Sequence, residues 1–242
     1  MLIQRVGEGR GLSWVTEGFG LFRAAPLLWM VASLLFLAVL SLLSMVPLFG
    51  SIAATLLQPV LVAGLLQGCR DLDRGHELRI EHLFAGFSEK TKPLMMVGLL
   101  LGLASIGVVL VLAAAVFGTG VLGSAMMDAA DWADGMPQLT DRATLGVLFL
   151  LTLGLLLSVP VAMAGWFAPA LVMFDDLDAW DALRASFIGC LRNVWPFLIY
   201  GIALLLLLFL ALVPFGLGLL LWIPMLFGSL YVSYNDIYRS VP

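Results

Sequence analysis

The sequence predicts an all-α polytopic membrane protein with six transmembrane helices, which form three pseudo-repeated hairpins joined to interfacial amphipathic helices. Two observations lead to this prediction: long stretches without charged residues, and a proline pattern that recurs three times. Hydrophobic residues make up 62% of the 242-residue chain and charged residues only 12%, which is unlike a soluble globular domain. We expect a single integral membrane domain over residues 1–242, with hairpins at approximately 12–69, 81–174 and 178–238.

Four stretches of the chain contain no Lys, Arg, Asp or Glu. They are Ala24–Cys69, Pro93–Met127, Ala143–Phe174 and Asn193–Asn235. A transmembrane helix needs about 20 mostly apolar residues to cross a bilayer. The first and last stretches are long enough for two crossings each, and the middle two for one each. This count predicts six spans, the first of which we expect to be retained rather than cleaved as a signal peptide.

Basic residues in the connecting segments predict the orientation of these spans. Eleven of the twelve Lys and Arg residues fall before span 1, between spans 2 and 3, between spans 4 and 5, or after span 6. Only Arg142 falls on the opposite side. Because cytoplasmic loops carry an excess of Lys and Arg, both termini are predicted to be cytoplasmic.

Each hairpin opens with a short amphipathic segment followed by a proline. The openings contain the triplets Glu17-Gly18-Phe19, Ala85-Gly86-Phe87 and Ala185-Ser186-Phe187. In the first opening an apolar face is formed by Leu12, Val15, Phe19 and Phe22, and in the third by Trp180, Leu183, Phe187, Leu191 and Val194. This spacing predicts that Leu12–Arg23, Glu81–Glu89 and Asp178–Asn193 are helical and lie near the membrane plane.

The second helix of each hairpin contains a proline that is followed twelve residues later by an aspartate. The prolines are Pro59, Pro169 and Pro224, and the aspartates are Asp71, Asp181 and Asp236. A proline inside a helix removes one backbone hydrogen bond and favours a kink. Kinks at similar depth either shape helix packing or line a shared path for a transported molecule. We expect the three aspartates to cluster at the cytoplasmic face.

Two groups of residues were considered as metal sites, and neither has a typical metal-binding spacing. His76 and His82 are six residues apart, whereas a zinc-protease helix needs histidines at i and i+4. Asp128, Asp131 and Asp134 lack the closing glutamate of an EF-hand, so whether this loop binds a cation stays open. We expect no metal, no cofactor and no catalytic residue, and the small net charge of −4 does not favour nucleic-acid binding.

Several segments resemble a family of uncharacterised small proteobacterial six-helix inner-membrane proteins, mainly within residues 1–90. They include Gly11–Trp14, Pro26–Trp29, Cys69–Gly75 and Leu83–Phe87. The chain is more distantly similar to the membrane domain of some glycerophosphodiester phosphodiesterases. The resemblance implies location and topology, and it transfers no functional residue.

The absence of ionisable residues within the spans favours a non-enzymatic scaffold or an accessory subunit of a membrane complex. Ion-coupled transporters normally keep intramembrane charged residues despite their energetic cost. The alternative is a small transporter, channel or lipid-handling protein with a path lined by Pro59, Pro169 and Pro224. The expected partners are membrane lipids and either another membrane protein or a second copy of this chain.

Overall fold

The computed structural model of the protein describes residues 3–47, 49–88, 90–119 and 141–239. Within these ranges the chain is helical and contains no β-strand, which confirms the all-α prediction. The helices are α1 (Arg10–Ala24), α2 (Pro26–Ser44), α3 (Phe49–Asp73), a 3₁₀ helix (Ile80–Phe87), α4 (Thr91–Thr119), α5 (Asp141–Trp166), α6 (Ala168–Asp175), α7 (Ala179–Arg192), α8 (Val194–Leu212), α9 (Leu219–Tyr234) and a π-helical turn (Asn235–Arg239).

Five segments of the described chain are long and apolar enough to cross a membrane. They are Pro26–Ser44, Phe49–Asp73, Thr91–Gly118, Thr144–Asp175 and Val194–Leu212. The predicted sixth span corresponds to α9, which has 16 residues and so falls short of the about 20 that a perpendicular crossing needs. The described residues therefore contain five candidate spans, which fits an integral membrane protein.

The described residues divide into two compact units. The first unit consists of Met1–Leu99 and Met163–Pro242, and the second of Leu100–Ala162. The first unit contains a buried core that includes Trp14 and Trp29, which are 0% and 1% exposed. The second unit contains the end of α4 and most of α5, and the large apolar side chains there are mostly exposed. A single domain over residues 1–242 stays a prediction.

Helix α1 is helical as predicted, and the residues that it buries against the protein are mostly not those of the apolar face predicted to point to the membrane. The buried residues are Gly11, Trp14, Val15 and Gly18, whereas Leu12 is 56% exposed. Gly18 allows α1 to approach α9 closely, because a Cβ atom at this position would lie 2.8 Å from Ser229 Cα. Small residues at a helix contact permit this backbone approach in membrane proteins.

The other two opening segments are helical as well and also bury small residues. The 3₁₀ helix buries Leu83 and Gly86 and exposes Phe84. In α7 the buried set is Ala179, Ala182, Leu183, Ser186, Gly189 and Cys190, whereas Trp180 and Leu191 are exposed. Many side chains on the predicted apolar faces of the opening helices are therefore exposed in the protein. The helical part of the prediction is confirmed for all three segments.

The three repeated prolines occupy different positions within their helices. Pro59 lies inside α3 and Pro224 inside α9, and both helices continue through the proline. Because Pro59 has no N–H, the carbonyl of Thr55 lacks the hydrogen bond that it would make to residue 59 in a regular helix. This carbonyl lies close to Gly98 of α4: a Cβ atom built on Gly98 would be 2.6 Å from the Thr55 oxygen. Pro169 follows a break at Phe167 and lies in the first turn of α6, where a missing N–H costs no helical hydrogen bond.

Candidate functional site

A set of charged and aromatic side chains gathers where α3, α6 and α9 end. We call it the edge cluster, and it consists of Arg10, Trp14, Arg70, Asp73, Phe174, Asp175, Tyr231, Tyr234, Asp236 and Arg239. These residues come from elements that are far apart in sequence. The charges lie just beyond the ends of the charge-free stretches, and the fold decides which of them meet.

Arg10 and Trp14 bind Asp236 and so connect α1 to the C-terminal π-helical turn. The Arg10 Nη2 atom lies 2.6 Å from Asp236 Oδ2, and the Trp14 indole N–H donates to the same oxygen over 2.7 Å. Arg10 also donates to Glu17 over 2.8 Å. Burial lowers the pKa of Arg10, but the hydrogen bonds to Glu17 and Asp236 outweigh it, so the pKa is raised overall. Asp236 is therefore held by two donors from the same helix.

Asp175, at the end of α6, binds the side chains of the C-terminal helix. The Tyr234 hydroxyl donates to Asp175, and the Tyr234 oxygen accepts from Arg239 Nε over 3.0 Å. Arg239 also donates to the Phe174 carbonyl over 3.0 Å. Burial acts to lower the pKa of Arg239, whereas Tyr234 and Asp175 raise it and prevail. These bonds fix the C-terminal turn against the end of α6.

Arg70, in the last turn of α3, has fewer partners than its neighbours. Its guanidinium carbon lies 4.9 Å from the centre of the Phe174 ring, and that of Arg239 lies 5.7 Å from the same ring. Within the described part of the chain, the buried Nε of Arg70 has no hydrogen-bond partner. Asp73, three residues further along α3, accepts from the Tyr231 hydroxyl over 2.9 Å. Two arginines therefore contact one aromatic ring, a favourable cation–π arrangement.

The imidazole of His82 binds other groups of the protein through both of its ring nitrogens. Its Nε2 atom lies 3.0 Å from Asp71 Oδ2, and its Nδ1 accepts from the Arg79 N–H over 3.1 Å. Gln67 donates to the same carboxylate over 3.1 Å. Both ring nitrogens are thus engaged. Among the residues that the structure describes, no group of three His, Cys, Asp or Glu side chains is placed to hold a metal ion.

A serine of α7 replaces one backbone hydrogen bond at the break between α5 and α6. The Ser186 hydroxyl accepts from the Phe167 N–H over 2.9 Å and donates to the Met163 carbonyl over 2.7 Å. These two backbone groups would bond to each other in a continuous helix, because they are four residues apart. Insertion of a side chain into this ladder is a recognised cause of a kink. Cys190 Sγ lies 3.6 Å from the same Met163 oxygen.

The other residues singled out by the sequence prediction lie in different surroundings. Pro59, Pro169 and Pro224 are buried in helix contacts. An apolar cavity of about 150 Å³ between α8 and α9 is lined by other residues, among them Leu207, Ala211, Trp222 and Met225. Asp128, Asp131 and Asp134 lie outside the described residues. Of the three spaced aspartates, Asp71 binds His82, Asp236 binds Arg10, and the Asp181 N–H is capped by Asp178.

Sequence reasoning did not identify Arg70 or Ser186 as residues of interest. Arg70 lies within the segment Cys69–Gly75, and Ser186 is the middle residue of the third opening triplet. One signal for Ser186 was available: it stands where the other two triplets have Gly18 and Gly86. For Arg70 no local signal was available, because Phe174 is more than a hundred residues away. The cluster as a whole joins helix ends, and its carboxylates are used as hydrogen-bond acceptors for Arg, Tyr and Trp.

Comparison with known proteins gives one relative. The chain is 31% identical over 206 residues to a probable inner membrane protein of Burkholderia thailandensis, and the match covers 84% of this chain and 74% of that protein. No family model matches the sequence. No solved structure matches it either.

Proposed function

Because this chain belongs to the same family as the probable inner membrane protein of Burkholderia thailandensis, we propose that it is a multi-pass inner-membrane protein with a non-enzymatic role. In this proposal it is a scaffold or an accessory subunit of a membrane complex. The observation that carries the proposal is the apolar surface of the second unit. The polar groups of the first unit, by contrast, are mostly used to join helix ends.

The topology that we propose has six spans, with both termini in the cytoplasm. Helix α9 and the π-helical turn continue one another from Leu219 to Arg239. The charge-free part of this helix ends at Asn235, which supports a short sixth crossing near the lower limit of about 17 residues. The eleven-to-one distribution of basic residues supports the orientation. Reporter fusions at the C-terminus and after Gly75 are expected to report cytoplasmic locations. A periplasmic C-terminus would contradict the topology.

The threefold repeat is part of the proposal, and a set of contacts supports it. The middle residue of each opening triplet contacts the second helix of another hairpin. Gly18 of hairpin 1 lies against Ser229 of hairpin 3, and Gly86 of hairpin 2 lies against Val60 of hairpin 1. Ser186 of hairpin 3 bonds to the second helix of hairpin 2. Each opening helix would then pack on the hairpin that precedes it in a cycle of three.

The second unit supports the scaffold role because it offers apolar helices without covering side chains. Ile106 and Leu110 of α4 are 57% and 63% exposed, and Leu151 and Leu155 of α5 are 66% and 65% exposed. A Cβ atom at Gly107 would meet no other atom within 4 Å. Lipid tails can cover such an apolar surface. A glycine with open space around it, however, also allows the backbone of another helix to approach closely. We propose that a helix of a partner subunit packs here.

Site-specific photocrosslinking in native membranes tests this role. A photoreactive residue at Ile106 is expected to give one discrete protein adduct, and the variant Gly107→Trp is expected to abolish it by occupying the contact surface. Gly201→Trp is the matched control, because Gly201 lies in α8, another span, and is equally open. Crosslinks only to lipid, or an adduct that survives Gly107→Trp, would contradict the scaffold role.

The transporter or lipid-handling alternative stays a hypothesis of its own. It requires a path lined by Pro59, Pro169 and Pro224. The cavity between α8 and α9 has the apolar lining that an acyl chain prefers, and it is lined by Leu210 and Trp222 rather than by these prolines. Substrate-dependent protection of cysteines placed next to the three prolines would favour the alternative over the scaffold role.

A further inference from the structure

With α3 as a membrane span, the length of the helix puts Arg70 at the depth of the lipid headgroups. Helix α3 is a candidate span that starts at Phe49 and ends at Asp73. At 1.5 Å per residue, the stretch from Phe49 to Arg70 is about 30 Å long, which matches the thickness of the hydrocarbon core. The guanidinium group therefore lies at the end of the span, where phosphate groups of lipids are found.

The carboxylates near Arg70 are committed to other donors. Asp73 accepts from Tyr231, Asp175 accepts from Tyr234, and Asp71 accepts from Gln67 and His82. Arg70 makes no ion pair and no hydrogen bond through its side chain in the part of the chain that the structure describes, and its Nε is buried. A buried guanidinium nitrogen without an acceptor is energetically costly.

An anion would supply the acceptor that Arg70 lacks, and the other cations around Arg70 would also attract it. The like charges of Arg74 and Arg239 act on Arg70, and the guanidinium of Arg239 also lies over the Phe174 ring. The Arg70 guanidinium lies over the Phe174 ring, with its carbon 4.9 Å from the ring centre, and this contact restricts where its N–H groups can point. A guanidinium restricted in this way suits bidentate binding of a phosphate, for which arginine is better shaped than lysine.

We propose that Arg70, supported by Arg239 and Arg74, binds a phosphate group at the membrane edge. The shared chemistry is that of a phosphate anion, and the depth of the site favours the phosphodiester of an anionic lipid headgroup over free phosphate. Basic pockets between transmembrane helices bind anionic headgroups in this way. The site is independent of the scaffold role, because it needs only a chain embedded in a bilayer.

The test uses the full-length protein in detergent micelles and follows its thermal unfolding. Phosphatidylglycerol, phosphatidylcholine and sodium phosphate are added in separate titrations. Phosphatidylglycerol is expected to raise the unfolding temperature, and phosphatidylcholine to have little effect. The variant Arg70→Gln is expected to need about ten times more phosphatidylglycerol for half the shift, as befits the loss of charge-assisted hydrogen bonds. A matching shift with sodium phosphate alone would assign the site to the free anion.

Two further variants keep the result interpretable. Arg79→Gln is the matched control, because Arg79 is exposed and paired with Glu81, and its titration is expected to follow that of the unmodified protein. Arg70→Lys keeps the charge and is expected to show an intermediate response, which also serves if Arg70→Gln does not fold. Equal responses of Arg70→Lys, Arg70→Gln and the unmodified protein would overturn the proposal, as would equal effects of both lipids.

Discussion

The hydroxyl of Ser186 is predicted to stabilise the break between α5 and α6. In the unmodified protein, Ser186 Oγ lies 2.9 Å from the Phe167 nitrogen and 2.7 Å from the Met163 carbonyl oxygen. The variant Ser186→Ala removes this shared partner from both backbone groups. Side-chain hydrogen bonds in a membrane protein contribute about 0.6 kcal/mol each on average. Loss of the two bonds should therefore lower the free energy of unfolding by at least about 1 kcal/mol. A buried group left unsatisfied costs about 1–3 kcal/mol. Because the two backbone groups can partly approach each other, we expect a loss of about 2 kcal/mol.

Equilibrium unfolding in mixed detergent micelles measures this loss, and Ser33→Ala provides a matched control. Ser33 is 1% exposed, and its hydroxyl has no hydrogen-bond partner among the described residues. Removing that hydroxyl should leave the free energy of unfolding unchanged or slightly higher. If Ser186→Ala and Ser33→Ala give the same free energy of unfolding, the bridging role of Ser186 is refuted.

Three further predictions concern the edge of the first unit. Asp236→Asn should lower the free energy of unfolding by about 1–3 kcal/mol, because its carboxylate accepts charge-assisted hydrogen bonds; an unchanged value in the same unfolding assay would contradict this. Gly189→Ala should destabilise by about 1–3 kcal/mol, since its Cβ would lie 2.8 Å from Tyr238 Cζ, whereas Gly20→Ala, in open space within α1, should stabilise slightly. Burial raises the pKa of the Cys190 thiol to about 12, so this thiol stays protonated in the folded protein at about pH 8; maleimide labelling should be slow until detergent unfolds the chain, and rapid labelling of the folded protein would show otherwise.

The sequence was sufficient to predict the helices and most of the span positions. Charge-free stretches of about 20 residues have few alternatives in a bilayer, where backbone groups must pair within the segment. The opening helices were also predictable, since their caps and prolines act over only a few residues. Asp178, for example, accepts from the Asp181 N–H and caps α7 as local chemistry requires.

The buried faces of these helices were not predictable, and the reason is the solvent. In water, an apolar stripe indicates the face that packs against the protein. In a bilayer, lipid accepts apolar side chains as readily as the protein does, so the apolar stripe of α1 does not indicate that the fold buries Trp14 and Gly18. Small residues, which carry little hydropathy signal, decide where helices approach closely.

The edge cluster was decided by the tertiary structure. The sequence placed charges at the ends of its charge-free stretches, since interfacial residues anchor helices. It could not show that Arg70 stacks on Phe174 while the nearby acids bind tyrosines and other donors, because these pairings join residues separated by up to 158 positions. A local sequence pattern predicts the secondary structure of its own segment. A hydrogen bond between distant segments depends on which helix ends the tertiary fold brings together.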